Sequence, residues 1–227
     1  MQIDIRHSPS FAVARVGLGA GETAKAESGA MLAMSDGVKI EANMQGGLMK
    51  SLRRGVLGGE SFFMTTFTAP DAGGWVDVAP SLPGDVAILD VTPEMPLIVD
   101  RGSYLASEAG LDIDSKWKGF KSLFGGEGGF MVHASGQGRL IVSSYGAIDR
   151  VTLGAGERMV VDTGHMVAFP DSIQWKMRRA ADGKTITSMK SGELFVFEFV
   201  GPGTLLTQTR SFEGLVAMLR PELGTRD

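Results

Sequence analysis

The sequence of 227 residues contains no cysteine, only three histidines and few aromatic side chains, 7% of the total. The absence of cysteine excludes a disulfide scaffold, thiolate metal sites and a cysteine nucleophile. The longest apolar run, Leu194–Val200, contains Glu198 and is too short to cross a bilayer. The formal charge of −4 is small and gives no general attraction for nucleic acid.

These absences predict a soluble protein in the cytoplasm. Asp4 lies where a secretory signal peptide needs its apolar stretch, so we expect no export by that route. The first residues also lack the Arg-rich, acid-free character of a mitochondrial presequence. Any contact with a membrane would then be peripheral, at the inner membrane.

Glycine is abundant, with 32 residues, and it is accompanied by frequent valine, isoleucine, threonine and phenylalanine. This composition is typical of a β protein with many turns. Segments such as Val38–Glu41 and Ile173–Met177 alternate between apolar and polar residues, as half-buried strands do. We therefore predict an all-β chain.

The sequence also repeats itself. The string Leu-Gly-Ala-Gly-Glu occurs at Leu18–Glu22 and again at Leu153–Glu157, and the match continues in register, so that Ala33 corresponds to Ala168 at the same spacing of 135 residues. A middle copy places Ala106 at a spacing of 73 residues after Ala33. A fixed repeat of this kind indicates one supersecondary unit that is used several times.

We predict three similar β units that fuse into one compact body. A small antiparallel unit leaves an apolar face and two open strand edges, and both are liabilities in water. Stacking covers the faces, and self-association into a closed ring removes the remaining edges. We therefore expect a homo-oligomer, most simply a homotrimer. The predicted boundaries are 10–83, 84–137 and 138–212 for the units and 213–227 for a C-terminal appendix.

The appendix breaks the β pattern. Phe212, Leu215, Val216 and Leu219 follow the spacing of an amphipathic helix. Pro221 is expected to end this helix, because proline removes a backbone donor. We predict a short helix that lies on the β body.

Several segments resemble a known family. The residues that carry the resemblance are Ser10–Ala12, Gly21–Glu22, Glu27–Met31, Met34–Ser35, the more specific Lys50–Arg54 before Gly58–Phe63, and Gln208–Ser211. Together they make the chain similar to the altered inheritance of mitochondria twenty-four family over residues 1–212. The resemblance implies an uncharacterised bacterial-type member with a fold similar to that of the tryptophan RNA-binding attenuation protein. It further implies three β-sandwich or double-stranded β-helix units per chain and a trimer, but no biochemical activity.

The sequence gives little support for a catalytic or metal-binding role of its glutamates and histidines. Glutamates recur after glycine turns, and one role copied several times is better explained by a hydrogen bond to turn amides than by catalysis. Each histidine stands alone, without the paired ligands that a cupin-like metal site needs. We assign no catalytic residue, metal ligand or cofactor. The repeated glutamates are Glu22, Glu60, Glu127, Glu157 and Glu193, and the histidines are His7, His133 and His165.

Two segments, Leu48–Arg54 and Trp117–Phe124, place cations among large apolar residues and contain no acidic residue. Such segments can lie at a membrane interface or hold an anionic partner, or their cations can simply be solvated while the apolar residues pack inward. The candidate binding residues are Lys50, Arg53, Arg54, Trp117, Lys118, Phe120 and Lys121.

Two functions follow as hypotheses. The first is a non-enzymatic homotrimeric β scaffold whose basic-apolar loops recognise an anionic membrane surface or a protein partner. The alternative is a small-molecule-binding protein or enzyme with a pocket inside a β unit or at the trimer axis, which needs convergent polar groups in an apolar cavity. RNA binding is disfavoured, because the chain is acidic and has few aromatic residues for stacking on bases.

Overall fold

The computed structural model describes residues 1–44, 63–115, 131–180 and 195–223. Within these ranges the chain forms antiparallel β-strands and one C-terminal helix, which confirms the all-β prediction. The elements are β1 Gln2–Arg6, β2 Val13–Leu18, β3 Thr23–Glu27, β4 Met31–Met34, β5 Lys39–Met44, β6 Phe63–Thr68, β7 Gly74–Val78, β8 Val86–Val91, β9 Leu97–Asp100, β10 Tyr104–Glu108, β11 Leu111–Asp114, β12 Met131–Gly136, β13 Gly138–Ser143, β14 Ile148–Leu153, β15 Arg158–Asp162, β16 Met166–Pro170, β17 Gln174–Arg179, β18 Phe195–Val200, β19 Gly203–Gln208 and α1 Phe212–Leu223.

Strands β2 to β19 form three consecutive sets of six that pair in the same way. In each set the sixth strand pairs with the first and the third, and the fifth pairs with the second and the fourth. Each unit is therefore two three-stranded sheets that enclose a core. Strand pairing assigns Gly138–Ser143 to the second unit, whereas the sequence boundary at 137 placed it in the third.

Local sequence explains why these segments form half-buried strands. In β2, Ala14, Val16 and Leu18 are buried, while the residues between them face outward. In β3, Ala24 and Ala26 are buried and alternate with polar neighbours in the same way. This period of two places one row of apolar side chains on the inner face of each sheet.

Neighbouring units are joined edge to edge. The second strand of one unit pairs with the third strand of the next, as β3 with β10 and β9 with β16. Two six-stranded sheets result, in the orders β5-β6-β3-β10-β13-β8 and β11-β12-β9-β16-β19-β14. The cores also interlock, because Leu105 of unit two packs in the core of unit one and Val167 of unit three packs in the core of unit two.

The corners where units begin are also in contact. The Ala12 amide donates to the Gly84 carbonyl at 2.9 Å, and the Asp85 amide donates to the Gly146 carbonyl at 3.0 Å. Gly84 and Gly146 form a parallel bridge. A Cβ atom at Gly84 would collide with the Ser144 carbonyl oxygen, so this corner requires glycine.

Helix α1 begins where the sequence predicted, but Pro221 lies inside it instead of ending it. The missing amide of Pro221 would have bonded to the carbonyl of Ala217, so in the last turn proline costs little more than one bond. The Ser211 hydroxyl accepts a hydrogen bond from the Gly214 amide at 3.1 Å and caps the first turn. β1, which the sequence did not predict, pairs with the outer edge of β2.

Gly84→Ala tests the corner packing. We expect it to lower the free energy of unfolding by about 1–3 kcal/mol, because the added methyl group has to displace backbone. Gly19→Ala is the matched control, since a Cβ there meets only the Glu22 carboxylate at 3.6 Å. Thermal unfolding monitored by circular dichroism measures both. Equal melting temperatures for the two variants would contradict the tight corner.

Candidate functional site: two open strand edges

Among the second and third strands of the three units, which form the junctions, two have a free edge in the described part of the chain. β15 is the second strand of unit three and β4 is the third strand of unit one, so each is one half of the junction that the chain uses twice internally. In the part of the chain that the structure describes, β4 pairs with β7 alone and β15 pairs with β18 alone. The two ends of the molecule therefore carry complementary halves of one type of strand pairing.

Both free edges are apolar and exposed. Leu32 on β4 is 60% exposed, whereas the corresponding Leu105 and Val167 are fully buried at the internal junctions, at 0%. Val160 on β15 is 55% exposed, whereas the corresponding Ile98 is at 0%. Apolar residues exposed together on a strand edge mark an interaction surface.

The register of the internal junctions is the same in both cases. A bulge precedes Ala33, Ala106 and Ala168 in the third strand of each unit. Across the junctions, Ala106 lies opposite Ala26, and Ala168 lies opposite Val99. The repeat places Val161 at the position that Ala26 and Val99 hold in the other units.

An acidic residue ends the second strand of every unit: Glu27, Asp100 and Asp162. The Asp162 carboxylate accepts a hydrogen bond from the Gly164 amide at 2.8 Å and so holds the turn before the third strand. Burial raises the pKa of Glu27 to about 6. Burial also raises the pKa of Asp100 to about 7, and the nearby Glu213 of α1 adds to this rise.

A charged cluster lies beside the β4 edge. Asp77 on β7 faces Ala33 in the register, is buried, and accepts hydrogen bonds from Arg6 at 2.8 Å and from Arg15 at 2.8 and 2.9 Å. Arg15 holds the pKa of Asp77 below its usual range. Its guanidinium also lies 3.9 Å from the centre of the Trp75 ring. One signal for this cluster is visible in the sequence, namely a carboxylate flanked by valines within a strand.

The repeated glutamates have the structural role that the sequence predicted. Glu22 accepts a hydrogen bond from the Gly19 amide at 2.8 Å, and Glu157 accepts one from the Gly154 amide at 2.8 Å. Each carboxylate therefore closes its glycine turn, which confirms the structural interpretation for this pair. The glutamates of the Gly-Glu pairs, Glu60, Glu127 and Glu193, lie outside the described residues.

Two histidines occupy separate environments. The His133 Nε2 atom lies 3.4 Å from the Asp171 carboxylate, and the His165 Nδ1 atom lies 2.7 Å from the Gln208 carbonyl. Among the residues described by the structure, no group of three acidic or histidine side chains is placed to hold a metal ion. His7 has a left-handed backbone, with a φ of 63°.

The candidate basic-apolar residues fall outside the described ranges. Along the chain, the first set lies between β5 and β6 and the second between β11 and β12, which are the connections of the fourth and fifth strands in units one and two. The structure therefore does not test a binding role for them. They are Lys50, Arg53 and Arg54 in the first set, and Trp117, Lys118, Phe120 and Lys121 in the second.

An apolar groove of about 240 Å³ lies at the N-terminal corner of unit one. It is lined by residues 11–13 and 79–84. Phe11 borders the groove and is 70% exposed. This corner is the counterpart of the glycine corners at Gly84 and Gly146, where little space is left.

Three six-stranded β units fused edge to edge define a class of all-β repeat protein. The chain belongs to the family described as mitochondrial biogenesis AIM24, whose model matches residues 3–210. This match confirms the resemblance read from the sequence. None of the helices in the described ranges has the length and apolar character needed to cross a membrane.

Two similar proteins come from Streptococcus pyogenes. An uncharacterized protein of the serotype M6 strain is 27% identical over 233 residues, which span 99% of this chain and 92% of that protein. A crystal structure of a protein of this species has a TM-score of 0.77 and 24% identity to this chain. The match covers 97% of this chain and 99% of that one, and it shows the fold.

Asp100→Asn tests the raised pKa of the carboxyl group that ends β9. The folded protein holds the proton of Asp100 more tightly than the unfolded chain does, because the pKa of this group is raised from 3.8 to about 7. The resulting contribution to folding stability is fully present below pH 3.8 and is lost as the pH rises through about 7. We expect the melting temperature of the unmodified protein to fall between pH 5 and pH 8, and the variant to remove on the order of 2 kcal/mol of that loss. Asp149→Asn, on an exposed strand position, is the control. Parallel pH profiles for all three proteins would contradict this assignment.

Proposed function

We propose that the protein is a non-enzymatic β scaffold that closes into a homotrimeric ring and presents its basic-apolar segments to an anionic membrane surface. The observation that supports this proposal most directly is the pair of open edges on β4 and β15. These are a third strand and a second strand, the two kinds of strand that pair at each junction between units within the chain. A contact between unlike surfaces of identical copies generates a ring when the rotation closes. Three copies are the number that the family resemblance implies.

The internal junctions supply the register of the contact between copies. By their pattern, Ala33 of one copy lies opposite Val161 of its neighbour, and Met34 lies opposite Val160. Leu105 and Val167 enter the core of the preceding unit, so Leu32 enters the core of unit three in the neighbouring copy. Phe197 and Phe199 are buried in that core.

The contact between copies is more polar than the internal junctions. Ile141 and Leu206 lie opposite Ala106 and Ala168 at the internal junctions, and unit one carries Asp77 at the corresponding position. Arg6 and Arg15 both form salt bridges with this carboxylate, so it stays paired when a neighbour covers it. This arrangement supports an edge that remains soluble before assembly and still fits one partner.

The membrane-binding part of the proposal rests on the positions of the basic segments along the chain. Both connect the fourth strand to the fifth strand of their unit, and rotational symmetry repeats this placement in every copy. A trimer then carries six segments in which cations alternate with large apolar residues. Each cation near an anionic leaflet contributes about 1 kcal/mol, and several linked segments bind with avidity.

A small-molecule site is less well supported. Such a site needs polar groups that converge on a cavity. In the described parts of the three units, the interior is filled by apolar side chains of the three cores. The scaffold hypothesis is supported by the two exposed, complementary strand edges of β4 and β15.

Leu32→Asp tests the ring. A charge at this position would be buried in the neighbouring core, so we expect the trimer to dissociate to a species of 24.0 kDa, the chain mass. Val160→Asp should act in the same way from the opposite edge. Met95→Asp, at an exposed turn, is the matched control and should keep three times the chain mass. Light scattering coupled to size-exclusion chromatography gives the masses. A trimer that survives both edge variants would contradict the proposed contact.

Replacing Lys50, Arg53, Arg54, Lys118 and Lys121 by serine tests membrane binding. We expect the unmodified protein to sediment with anionic phosphatidylserine vesicles at low salt, and the variant to lose at least tenfold in affinity. The control carries serine at three exposed cations, Lys39, Arg150 and Arg220. Phosphatidylcholine vesicles should bind neither protein. An absence of sedimentation at low salt would overturn the membrane surface as the target and favour a protein partner.

A further inference from the structure

Two exposed residues of opposite charge lie at the two open strand edges. Asp36 comes directly after β4 in unit one, and Arg158 begins β15 in unit three. Both side chains are exposed, and within the described parts of the chain neither takes part in an ion pair or a side-chain hydrogen bond. Opposite charges on two matching surfaces can recognise each other when the surfaces meet.

The repeat gives Asp36 a counterpart in unit three. This counterpart is Asp171, at the spacing of 135 residues. Both aspartates lie in the same kind of turn after the third strand of their unit. In each turn, the amide two residues after the aspartate donates to the carbonyl of the residue before it, at 3.5 Å after β4 and at 3.2 Å after β16. The backbone therefore presents Asp36 in the same way as Asp171.

Asp171 already reaches across the junction between units two and three. Its amide donates to the carbonyl of Pro96, just before β9, at 3.0 Å. Its carboxylate lies 3.4 Å from Nε2 of His133, on the strand that pairs with the far side of β9. An aspartate at this position therefore contacts the preceding unit through its backbone and through its side chain.

The same register identifies the residue that Asp36 meets in the proposed ring. Counting back three residues from Val99 gives Pro96, and counting back three residues from Val161 gives Arg158. The register of the junction between units two and three therefore sets Asp36 of one copy opposite Arg158 of its neighbour. Residues directly opposite each other in an antiparallel pair share a face, with their Cβ atoms about 4.5–5.5 Å apart.

Two other cations on the sheet formed by β15, β18 and β17 already have a carboxylate. Glu198 holds the place of His133, and its carboxylate lies 2.7 Å from the ammonium nitrogen of Lys176. It also accepts a hydrogen bond from the guanidinium of Arg178. Arg158, on the edge strand, has no such carboxylate in the described part of the chain, so it can accept one from a neighbour.

The internal junctions lack this pair of opposite charges. Thr23 and Ala109 hold the two positions at the junction of units one and two, and Pro96 faces Asp171 at the next junction. The peptide chain already brings those units together. Separate copies have to select the correct edge of their neighbour, and a charge pair is suited to that selection.

The charge pair also distinguishes one register from the others. Because side chains alternate along a strand, a slip by two residues keeps each of them on its own face. Such a slip moves Asp36 from Arg158 to Val160 or to Gly156, and the two charges lose each other. The apolar residues of the edges therefore leave an ambiguity that the charges remove.

We propose that Asp36 of each copy forms an ion pair with Arg158 of the next copy, and that this pair selects the head-to-tail contact and fixes its register. This inference rests on the proposed ring. The partner is a second copy of this chain, whose β15 edge carries the matching cation. An exposed ion pair adds little affinity, whereas two like charges at the same place oppose association.

Charge reversal tests the pair. Asp36→Arg and Arg158→Asp each set like charges opposite each other, so we expect each to raise the dissociation constant of the trimer by about tenfold or more at low salt. The double variant restores opposite charges and should lie within about threefold of the unmodified protein. Asp149→Arg and Arg150→Asp, at exposed positions of β14, are the matched controls. Sedimentation velocity measures the constants, and circular dichroism verifies folding.

Mixing the two single variants tests whether the pair joins different copies. Each variant supplies the charge that the other needs, so an equimolar mixture should associate more strongly than either variant alone. A ring of three copies keeps one mismatched junction in any such mixture, so the mixture should remain weaker than the double variant. An absence of any gain on mixing would overturn the pair.

The absence of cysteine allows a test of the register that does not depend on charge. Asp36→Cys combined with Arg158→Cys places two thiols opposite each other across the junction. After oxidation we expect covalent dimers and trimers on a non-reducing denaturing gel. Asp36→Cys combined with Asp149→Cys is the control and should run as a monomer. If the first combination also runs only as a monomer, the proposed register is wrong.

The outcomes separate the pair from the ring. A trimer that depends on Leu32 but does not respond to either charge reversal overturns the pair and leaves the scaffold intact. A trimer that both single variants weaken and the double variant does not restore also overturns the pair. An unmodified protein that is monomeric at all concentrations overturns both proposals. Recovery in the double variant, together with cross-linked oligomers, supports both.

Discussion

Pairing between the second strand of one unit and the third strand of the next is the interaction on which the architecture depends. It joins separate three-stranded sheets into six-stranded ones and carries Leu105 and Val167 into the core of the preceding unit. Without this pairing, each unit would expose two strand edges and part of an apolar core. The core of each unit contains side chains from a neighbouring unit, so the three units pack as one body.

The same pairing rule leaves complementary strand edges at the two ends of the series of units, a third strand at one end and a second strand at the other. In the described parts of the chain, no unit receives Leu32 and no strand covers Val160. A third contact of the same type satisfies both edges at once when copies are arranged head to tail. Asp77, paired with two arginines, would make this proposed contact more polar than the internal ones.

Much of the fold could be predicted from the sequence. The repeated glycines, the alternating strands and the role of Glu22 and Glu157 at their turns follow from short-range patterns, and the structure confirms them. The division at residue 137 was drawn from the spacing of motifs, whereas strand pairing assigns β13 to unit two. Pro221 was expected to end α1, but its place in the last turn lets the helix continue to Leu223. These differences arise because pairing and helix ends depend on more than the local residue type.

The sequence by itself determined the class of fold, the threefold repetition and the family, because alternation, turn glycines and repeat spacing are encoded within a few neighbouring residues. Only the tertiary structure decided which strands are left unpaired. Met31–Met34 reads as an ordinary small strand, equivalent to its two buried counterparts, and nothing local distinguishes it from them. Its exposure follows from its place at the end of the series of units. That place is a property of long-range strand pairing, which short-range patterns cannot encode.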